Sequence, residues 1–418
     1  MRRTLLTIFS FVCGLVVMHA QHGQYVGGDI SLLTKYEQNG AKYYTNSGAQ
    51  ISSLLPFFAD EGMNAMRVRL FVDPTKATAT EKGEGVCQDM EFVKTLAKKI
   101  KDAGFALLLD LHYSDTWADP AKQWTPEAWQ SLNDSQLADK VYEYTKDVLQ
   151  QLNETGATPD FIQTGNEISY GMMWGKRNTT SNKYYAGTAN NAATRFFSFL
   201  KKARQACLEA CPQAKTVLHI ERSGKPDYAV NFYTDMQNNG VEYDIIGLSF
   251  YPYYHGNIAT LETTLTRLAD AFPDKMVMIV ETGYYHKWQP DNVTYDWSKT
   301  YPITEAGQKK FTDELITALL KHDNVTGLFW WFMEANEYGL DWNTKRVTDG
   351  WYNASLFDNE TGRALSALSS LRSFIPASDG ISHTSSATRH ETFSIAGQKV
   401  SNDCKGVVIR NGKKYIIK

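Results

Sequence analysis

Two glutamates that follow short apolar runs have the side chain needed for acid–base or nucleophilic chemistry. Glu167 follows the run at 160–164, and Glu281 directly follows the run at 275–280. Paired carboxyl groups suit hydrolysis of a glycosidic bond, because one donates a proton to the departing oxygen while the other attacks the anomeric carbon. A separation of about 5 Å between them would give retention of configuration. Either glutamate alone could simply cap the next helix, so the prediction depends on the pair.

Polar and aromatic side chains near the ends of the apolar runs are candidates for binding a sugar. The amide of Asn166 could hold the 2-hydroxyl of the reacting sugar, and Arg69 or Tyr251 could keep Glu281 ionised. The candidate substrate-binding residues are Asn166, Arg67, Arg69, His112, Asp115, Trp117, Trp174, Tyr251 and Trp330. Trp330 and Trp331 are adjacent and should point in opposite directions, and we expect Trp330 to form the floor of the sugar site. Arg67 and Arg69 could instead form salt bridges at the rim, and His112 could be a buried structural histidine.

These residues need a fold that gathers the ends of many strands at one place. Amphipathic helical stretches, such as 89–103, 134–152, 192–210 and 305–322, alternate with eight short apolar runs, at 25–30, 64–71, 105–111, 160–164, 215–220, 244–250, 275–280 and 326–332. This alternation predicts an α/β fold, a (β/α)8 TIM barrel, with Glu167 and Glu281 on strands 4 and 7 facing each other across the mouth. A doubly wound sheet is the alternative, but the residues at 26–29 (VGGD) do not match its Gly-rich nucleotide loop.

Both ends of the chain differ in composition from the predicted barrel at 21–375. Residues 1–20 combine Arg2 and Arg3 with an apolar run and Ala20, which predicts a signal peptide and a secreted or cell-envelope protein, in the periplasm or at the cell surface. Lipid modification at Cys13 is the alternative interpretation. Residues 376–391 resemble a Ser/Thr-rich linker, and 392–418 a short β tail with an Asn411-Gly412 hairpin turn. The tail resembles the C-terminal sorting-type tails of secreted Bacteroidetes proteins, or is a β appendage without a sorting role.

The composition agrees with a carbohydrate ligand and excludes several other functions. Aromatic residues make up 13% of the 418 residues, and such rings stack on sugars, although large barrels also bury many of them. The net charge of -3 gives no electrostatic footprint for nucleic acid. No later segment is apolar enough to span a membrane, and no His-X-His pair or strand-end lysine suggests metal or Schiff-base chemistry. Cys207 and Cys211 lack further zinc ligands nearby and are expected in the core. We expect a monomer.

Several motifs resemble those of glycoside hydrolase family 53. The most specific is 110–120 (DLHYSDTWADP), which is similar to the strand 3 signature of that family. Residues 163–168 (QTGNEI) with 171–174 (GMMW) resemble its acid/base motif. Residues 67–69, 73–74, 244–253 and 280–284 also align, and the resemblance spans about residues 25–372.

The resemblance implies an endo-β-1,4-galactanase that acts on type I arabinogalactan with retention, with Glu167 as acid/base and Glu281 as nucleophile. Another β-1,4-glycan such as mannan is an alternative substrate, and a non-catalytic glycan-binding barrel is an alternative function. Some bacterial members of the family carry an acidic calcium-binding loop after the nucleophile. The corresponding residues 285–294 (YHKWQPDNVT) lack a dense set of ligands. We therefore expect no cofactor and no metal, with Asp341, Asp349 and Asp358 as alternative calcium ligands.

Overall fold

Eight parallel strands close into a barrel, as predicted. In chain order they are β1 to β8: Tyr25–Asp29, Ala65–Leu70, Ala106–Leu111, Phe161–Thr164, Lys215–Ile220, Ile245–Phe250, Met276–Thr282 and Val325–Trp330. Strand β1 pairs with both β2 and β8, which closes the ring. Each observed strand lies within two residues of its predicted bounds.

The computed structural model describes residues 24–375 and the backbone of 392–394, 399–400, 406–410 and 413–417. The chain divides into two compact units between Ile375 and Pro376. The predicted signal peptide at 1–20 and linker at 376–391 lie outside the described residues. Strands β9 to β12 (Thr392–Ser394, Lys399–Val400, Gly406–Arg410 and Lys413–Ile417) form one sheet. Strands β11 and β12 pair antiparallel on either side of residues 411 and 412, so the predicted hairpin pairing is present.

Helices α1 to α11 connect and flank the barrel strands. They span Leu33–Asn39, Leu54–Asp60, Ala79–Gly83, Met90–Asp102, Asp134–Glu154, Asn191–Ala210, Pro226–Asn238, Pro252–His255, Ile258–Ala271, Glu305–Leu319 and Ser366–Ser370. Side-chain caps define where five of the longer helices begin, since an oxygen of the preceding residue accepts an early backbone N–H. These capping residues are Asp89, Asn133, Asn190, Asn257 and Thr304. A two-stranded hairpin (Tyr43–Tyr44 with Gln50–Ile51) was not predicted.

The interior of the barrel holds its own apolar cluster, distinct from the larger core around it. Its members are Ala65, Leu108, Phe161, Val217, Ile245, Met278, Val280 and Phe329. Side chains alternate along a strand, so the residue two positions later also points inward. This alternation decides which residues reach the mouth. Among the described residues, no helix has the length and apolar character needed to cross a membrane.

Candidate active site

Inward-facing positions of the barrel change from apolar to polar toward the carboxyl ends of the strands. Two residues after Ala65, Leu108, Phe161 and Val217 come, respectively, the buried Arg67, Asp110, Gln163 and His219. Such a polar layer must be internally hydrogen-bonded to be stable when buried. Gln163 donates to Asp110 Oδ1 at 2.6 Å, and Arg67 pairs with Asp110 Oδ2 at 2.7 Å. This layer is the rigid base on which the two predicted catalytic glutamates rest.

Glu167 and Glu281 meet at the barrel mouth. One carboxylate oxygen of each lies within 4.8 Å of the other, and both side chains line one open cleft of about 850 Å³. This separation matches the short distance of retaining glycosidases, because inverting enzymes need roughly 6.5–9.5 Å to admit a water between their carboxyl groups. The geometry therefore suits direct attack by one carboxylate.

Glu281 lies beside groups that offset part of the effect of its burial. Burial raises its pKa to about 7, while the Arg67 guanidinium, 2.8 Å from Oε1, acts in the opposite direction. The Tyr251 hydroxyl donates to Oε2 at 3.0 Å and also favours the anion. Arg67 is fully buried and also pairs with Asp29 at 3.0 Å, so its position is fixed.

Glu167 lies in an environment that favours the protonated carboxyl. Burial raises its pKa well above the usual range, and the nearby carboxylates of Glu281 and Glu221 raise it further. The Ser249 hydroxyl donates to Oε1 at 2.7 Å, which opposes the shift without cancelling it. Glu281 therefore loses its proton first and Glu167 keeps its own, which are the protonation states of a nucleophile and an acid.

The backbone of Glu167 adopts a left-handed conformation, with φ 47° and ψ 51°. A non-glycine residue there is strained, and such strain is typical of functional sites. The Glu167 N–H donates to His219 Nδ1 at 3.3 Å, and His219 Nε2 lies 2.7 Å from Ser249 Oγ. Burial and the nearby Arg67 lower the pKa of His219 far below its usual range, so the ring is neutral. His219 and Ser249 thus link the backbone of Glu167 to its carboxyl group and hold it in place.

Asn166 lies in the cleft beside Glu167, as predicted. Its Oδ1 accepts from Arg67 at 2.9 Å, and its Nδ2 donates to the Ala118 carbonyl at 2.8 Å. These bonds fix the plane of the amide and leave one N–H of Nδ2 for a ligand.

Four tryptophans, Trp117, Trp288, Trp331 and Trp351, line the cleft. The predicted floor residue, Trp330, is fully buried, and its Nε1 donates to the Ala354 carbonyl at 2.9 Å. The prediction was wrong because Phe329 points into the barrel, which makes Trp331 the next inward side chain. Trp331 therefore takes the place in the cleft that was expected of Trp330.

Several other predicted binding residues lie behind the cleft surface and support it. Arg69 is fully buried, with its guanidinium carbon 4.6 Å from the ring of Trp331 and 4.9 Å from that of Trp117. His112 is buried and accepts the Ala118 N–H through Nδ1. Asp115 accepts backbone N–H groups of the neighbouring loops at 73 and 127. Trp174 is fully buried, and its Nε1 donates to the Tyr170 carbonyl. These four side chains position the cleft rather than line it.

Four residues of the site were missed in the sequence: Asp29, His219, Glu221 and Ser249. Glu221 directly follows β5, which is the same signal that singled out Glu281. His219 lies two residues earlier on the same inward face, within an apolar run. Ser249 lies four residues after the inward-facing Ile245, so alternation along β6 could have placed it at the mouth.

One set of three potential metal-ligand side chains occurs among the described residues: Glu167, His219 and Glu281. Their hydrogen bonds and ion pairs within the protein already account for this arrangement. The alternative calcium ligands do not form such a set. Asp358 pairs with Lys287 at 2.9 Å, Asp349 with Arg346 at 3.0 Å, and Asp341 accepts the Asn343 N–H at 2.9 Å.

Comparisons with known proteins agree with this geometry. The family model described as glycosyl hydrolase family 53 matches residues 25–371. An arabinogalactan endo-β-1,4-galactanase of Cellvibrio japonicus is 32% identical over 358 residues, covering 80% of this chain and 86% of the relative. The GH53 catalytic domain of Ignisphaera aggregans has a TM-score of 0.72 at 32% identity, covering 88% and 99% of the two chains. A solved structure from work on two fungal β-1,4-galactanases has a TM-score of 0.68 at 26% identity, covering 84% of this chain and 99% of the other.

Proposed function

The chain belongs to glycosyl hydrolase family 53, and from that premise we propose that it is a retaining endo-β-1,4-galactanase. The proposed substrate is type I arabinogalactan, whose internal β-1,4-galactosidic bonds it hydrolyses. The names of relatives that match most of the chain support this substrate. The observation that carries the chemistry is the pair of carboxyl groups within 4.8 Å of each other, of which only Glu281 has a neighbouring cation that opposes the rise of its pKa.

The two carboxyl groups account for both steps of the reaction. In the first, Glu281 attacks the anomeric carbon while Glu167 gives its proton to the oxygen that departs with the leaving sugar. A covalent galactosyl ester on Glu281 results. In the second, Glu167 takes a proton from a water that attacks the same carbon and releases Glu281. Two inversions give net retention. Neither step needs a metal or cofactor.

The residues around the pair suit a sugar at the reacting position. The free N–H of Asn166 can bind the 2-hydroxyl, a contact that strengthens as positive charge develops on the ring. Trp331 and Trp117 offer rings for the apolar faces of sugars, supported from behind by Arg69. The cleft is open and lined by residues from many loops, which suits a polysaccharide entering sideways and therefore internal cleavage. A non-catalytic glycan-binding barrel would not need two carboxyl groups with separated protonation states.

A panel of β-1,4-linked polysaccharides tests the substrate. We expect reducing ends to appear from galactan, with a rapid fall in viscosity because internal bonds break first. Mannan, xylan and cellulose should give less than about 1% of that rate. Glu281→Gln should lower the rate of galactan hydrolysis at least about a thousandfold, while galactan binding persists. Faster cleavage of mannan than of galactan would replace the proposed substrate, and a fully active Glu281→Gln would remove the proposed nucleophile.

We also propose that the protein is exported and degrades the galactan side chains of pectin outside the cytoplasm. The support is the sequence of residues 1–20, with two arginines, an apolar run and a small residue at position 20. N-terminal sequencing of the protein from the envelope and medium of an expressing bacterium should begin at Gln21. A chain that keeps Met1 and stays in the cytoplasm would contradict export.

A further inference from the structure

A third carboxylate, Glu221, lies in the cleft and raises the pKa of Glu167, but it forms no bond to the reacting groups in the two steps described above. It follows β5, is only 6% exposed and lines the cleft. Its Oε1 accepts the Ser169 hydroxyl at 2.7 Å and pairs with Arg222 Nε at 2.8 Å. Its Oε2 is buried and has no hydrogen-bond partner among the described residues.

A buried carboxylate oxygen without a donor is costly, because the lost hydration is not replaced. Ser169 and Arg222 both hold Oε1, so the side chain cannot turn to satisfy Oε2 without releasing them. A ligand hydroxyl in the cleft would supply the missing donor.

The position of Glu221 indicates which sugar would supply it. Strand β5, which precedes Glu221, is the neighbour of β4, which precedes the acid Glu167. On the other side, Trp331 lies above Arg67, the partner of the nucleophile, with 5.6 Å between the guanidinium carbon and the ring. This order of residues around the rim would put the sugar attacked by Glu281 on the side of Trp331, and the leaving sugar on the side of Glu167 and Glu221.

We propose that Glu221 binds the leaving sugar, with Oε2 accepting a hydrogen bond from a hydroxyl of the ring that carries the departing oxygen. In a β-1,4-linked chain this ring has hydroxyl groups on both sides of that oxygen, on C3 and on the carbon attached to C5. The inference rests on the proposed function, since it names a further contact of the same substrate. It makes Glu221 a determinant of which sugars can occupy the leaving position.

Two substrates with the same glycone separate this role from a structural one. In β-1,4-galactotetraose the leaving group is a sugar, whereas in 4-nitrophenyl β-1,4-galactobioside it is an aryl group without hydroxyls beside the scissile bond. In Glu221→Gln, the amide oxygen must face Ser169 and Arg222, so the NH2 group takes the place of Oε2 and cannot accept a hydrogen bond. We expect kcat/KM to fall about tenfold to a hundredfold on the tetraose and to change less than about threefold on the aryl substrate.

Two further variants keep the test decisive. Glu221→Asp shortens the side chain by one methylene and withdraws the oxygen, so it should show the same selective loss on the tetraose. It provides the test if Glu221→Gln does not fold. Asp227→Asn, an equivalent change at an exposed carboxylate paired with Arg267, should leave both substrates unaffected. Equal losses on the tetraose and the aryl substrate, or no loss on either, would overturn the proposal for Glu221. Hydrolysis of galactan by the wild type reports on the proposed function separately.

The pH profile gives an independent readout. Charged or titratable groups around Glu167 and Glu221 are Glu281, Asp119, Arg222, His219 and His255. The two histidines are neutral because burial lowers their pKa values, to about 3 for His255. Glu221→Gln removes one negative charge near the acid, so the alkaline limb of kcat/KM should move to lower pH, while Glu221→Asp should keep it. An unmoved limb in Glu221→Gln would count against the placement of Glu221 beside the acid.

Discussion

At the scale of single residues, Glu167 and Glu281 have the same side chain, and their different neighbours account for the different roles that we propose for them. Glu281 faces the buried guanidinium of Arg67 and the hydroxyl of Tyr251. Glu167 faces two carboxylates and a single hydroxyl donor. Burial raises both pKa values, but only at Glu281 does a neighbouring cation offset part of the shift.

Replacing the acid should affect substrates according to their leaving groups. Glu167→Ala removes the proton donor, which a sugar leaving group needs and an activated aryl group does not. We expect the hydrolysis of galactan to fall about a thousandfold, whereas cleavage of 2,4-dinitrophenyl β-galactobioside should retain a rapid first turnover. Reducing-sugar release measures the hydrolysis of galactan, and a stopped-flow burst of dinitrophenol measures the first turnover of the aryl substrate. Equal losses would contradict the acid role.

Removing the hydroxyl group of Tyr251 should shift the acid limb of the pH profile, and removing that of Ser249 should shift the alkaline limb. Activity requires ionised Glu281 and protonated Glu167. On the acid side kcat/KM therefore falls as Glu281 becomes protonated, and on the alkaline side it falls as Glu167 loses its proton. Tyr251→Phe removes a bond that lowers the pKa of Glu281, so the acid limb should move to higher pH. Ser249→Ala removes a bond that lowers the pKa of Glu167, so the alkaline limb should move to higher pH. Profiles of both variants that coincide with the wild type would contradict this assignment.

At the scale of elements, the apolar runs were enough to predict every barrel strand, because a parallel strand covered on both faces must be apolar. They also placed both of the proposed catalytic glutamates at the mouth, since strand ends converge at one rim. The direction of side chains was harder to predict. Trp331 rather than Trp330 faces the cleft because Phe329 sets the inward positions of β8, and a strand that is apolar on both faces does not reveal these positions in its sequence. At Glu281 the alternation itself is broken, because this residue directly follows the inward-facing Val280 beside a register shift between β6 and β7.

Strand β1 should tolerate no side chain at Gly27. A Cβ atom there would lie 1.8 Å from the carbonyl oxygen of Ala65 on β2, and backbone cannot give way as a side chain can. Gly27→Ala should therefore destabilise the protein by about 3 kcal/mol or more. Denaturant unfolding measures it, with Gly350→Ala as the control, because a Cβ at Gly350 would meet nothing within 4 Å. Equal stabilities of the two variants would contradict the close approach of β1 and β2.

At the scale of the whole molecule, both proposed catalytic glutamates lie in the unit that ends at Ile375. The family match also ends within it, at residue 371. A chain shortened to residues 21–375 should keep kcat/KM on galactan within about twofold and unfold in a single cooperative transition. Loss of folding or of activity would show that the second unit contributes to the barrel. The role of that second unit could be inferred only from its resemblance to sorting-type tails.

Metal removal should leave catalysis unchanged, because both chemical steps use carboxyl groups. Dialysis against a chelator should alter kcat on galactan by less than about twofold, and added calcium should not raise the melting temperature. Asp358→Asn, which changes one of the alternative calcium ligands, serves as the matched variant. A chelator-sensitive activity restored by calcium would contradict the proposal that no metal is needed.

The most direct test of the paired-carboxylate account is the configuration of the first product. Proton NMR of galactotetraose hydrolysis, recorded within minutes and before mutarotation, distinguishes the two anomers. Attack by Glu281 followed by attack of water predicts that the new reducing end appears first as the β anomer, and that the α anomer follows slowly. Initial appearance of the α anomer would mean a single displacement by water, and it would contradict a nucleophilic Glu281.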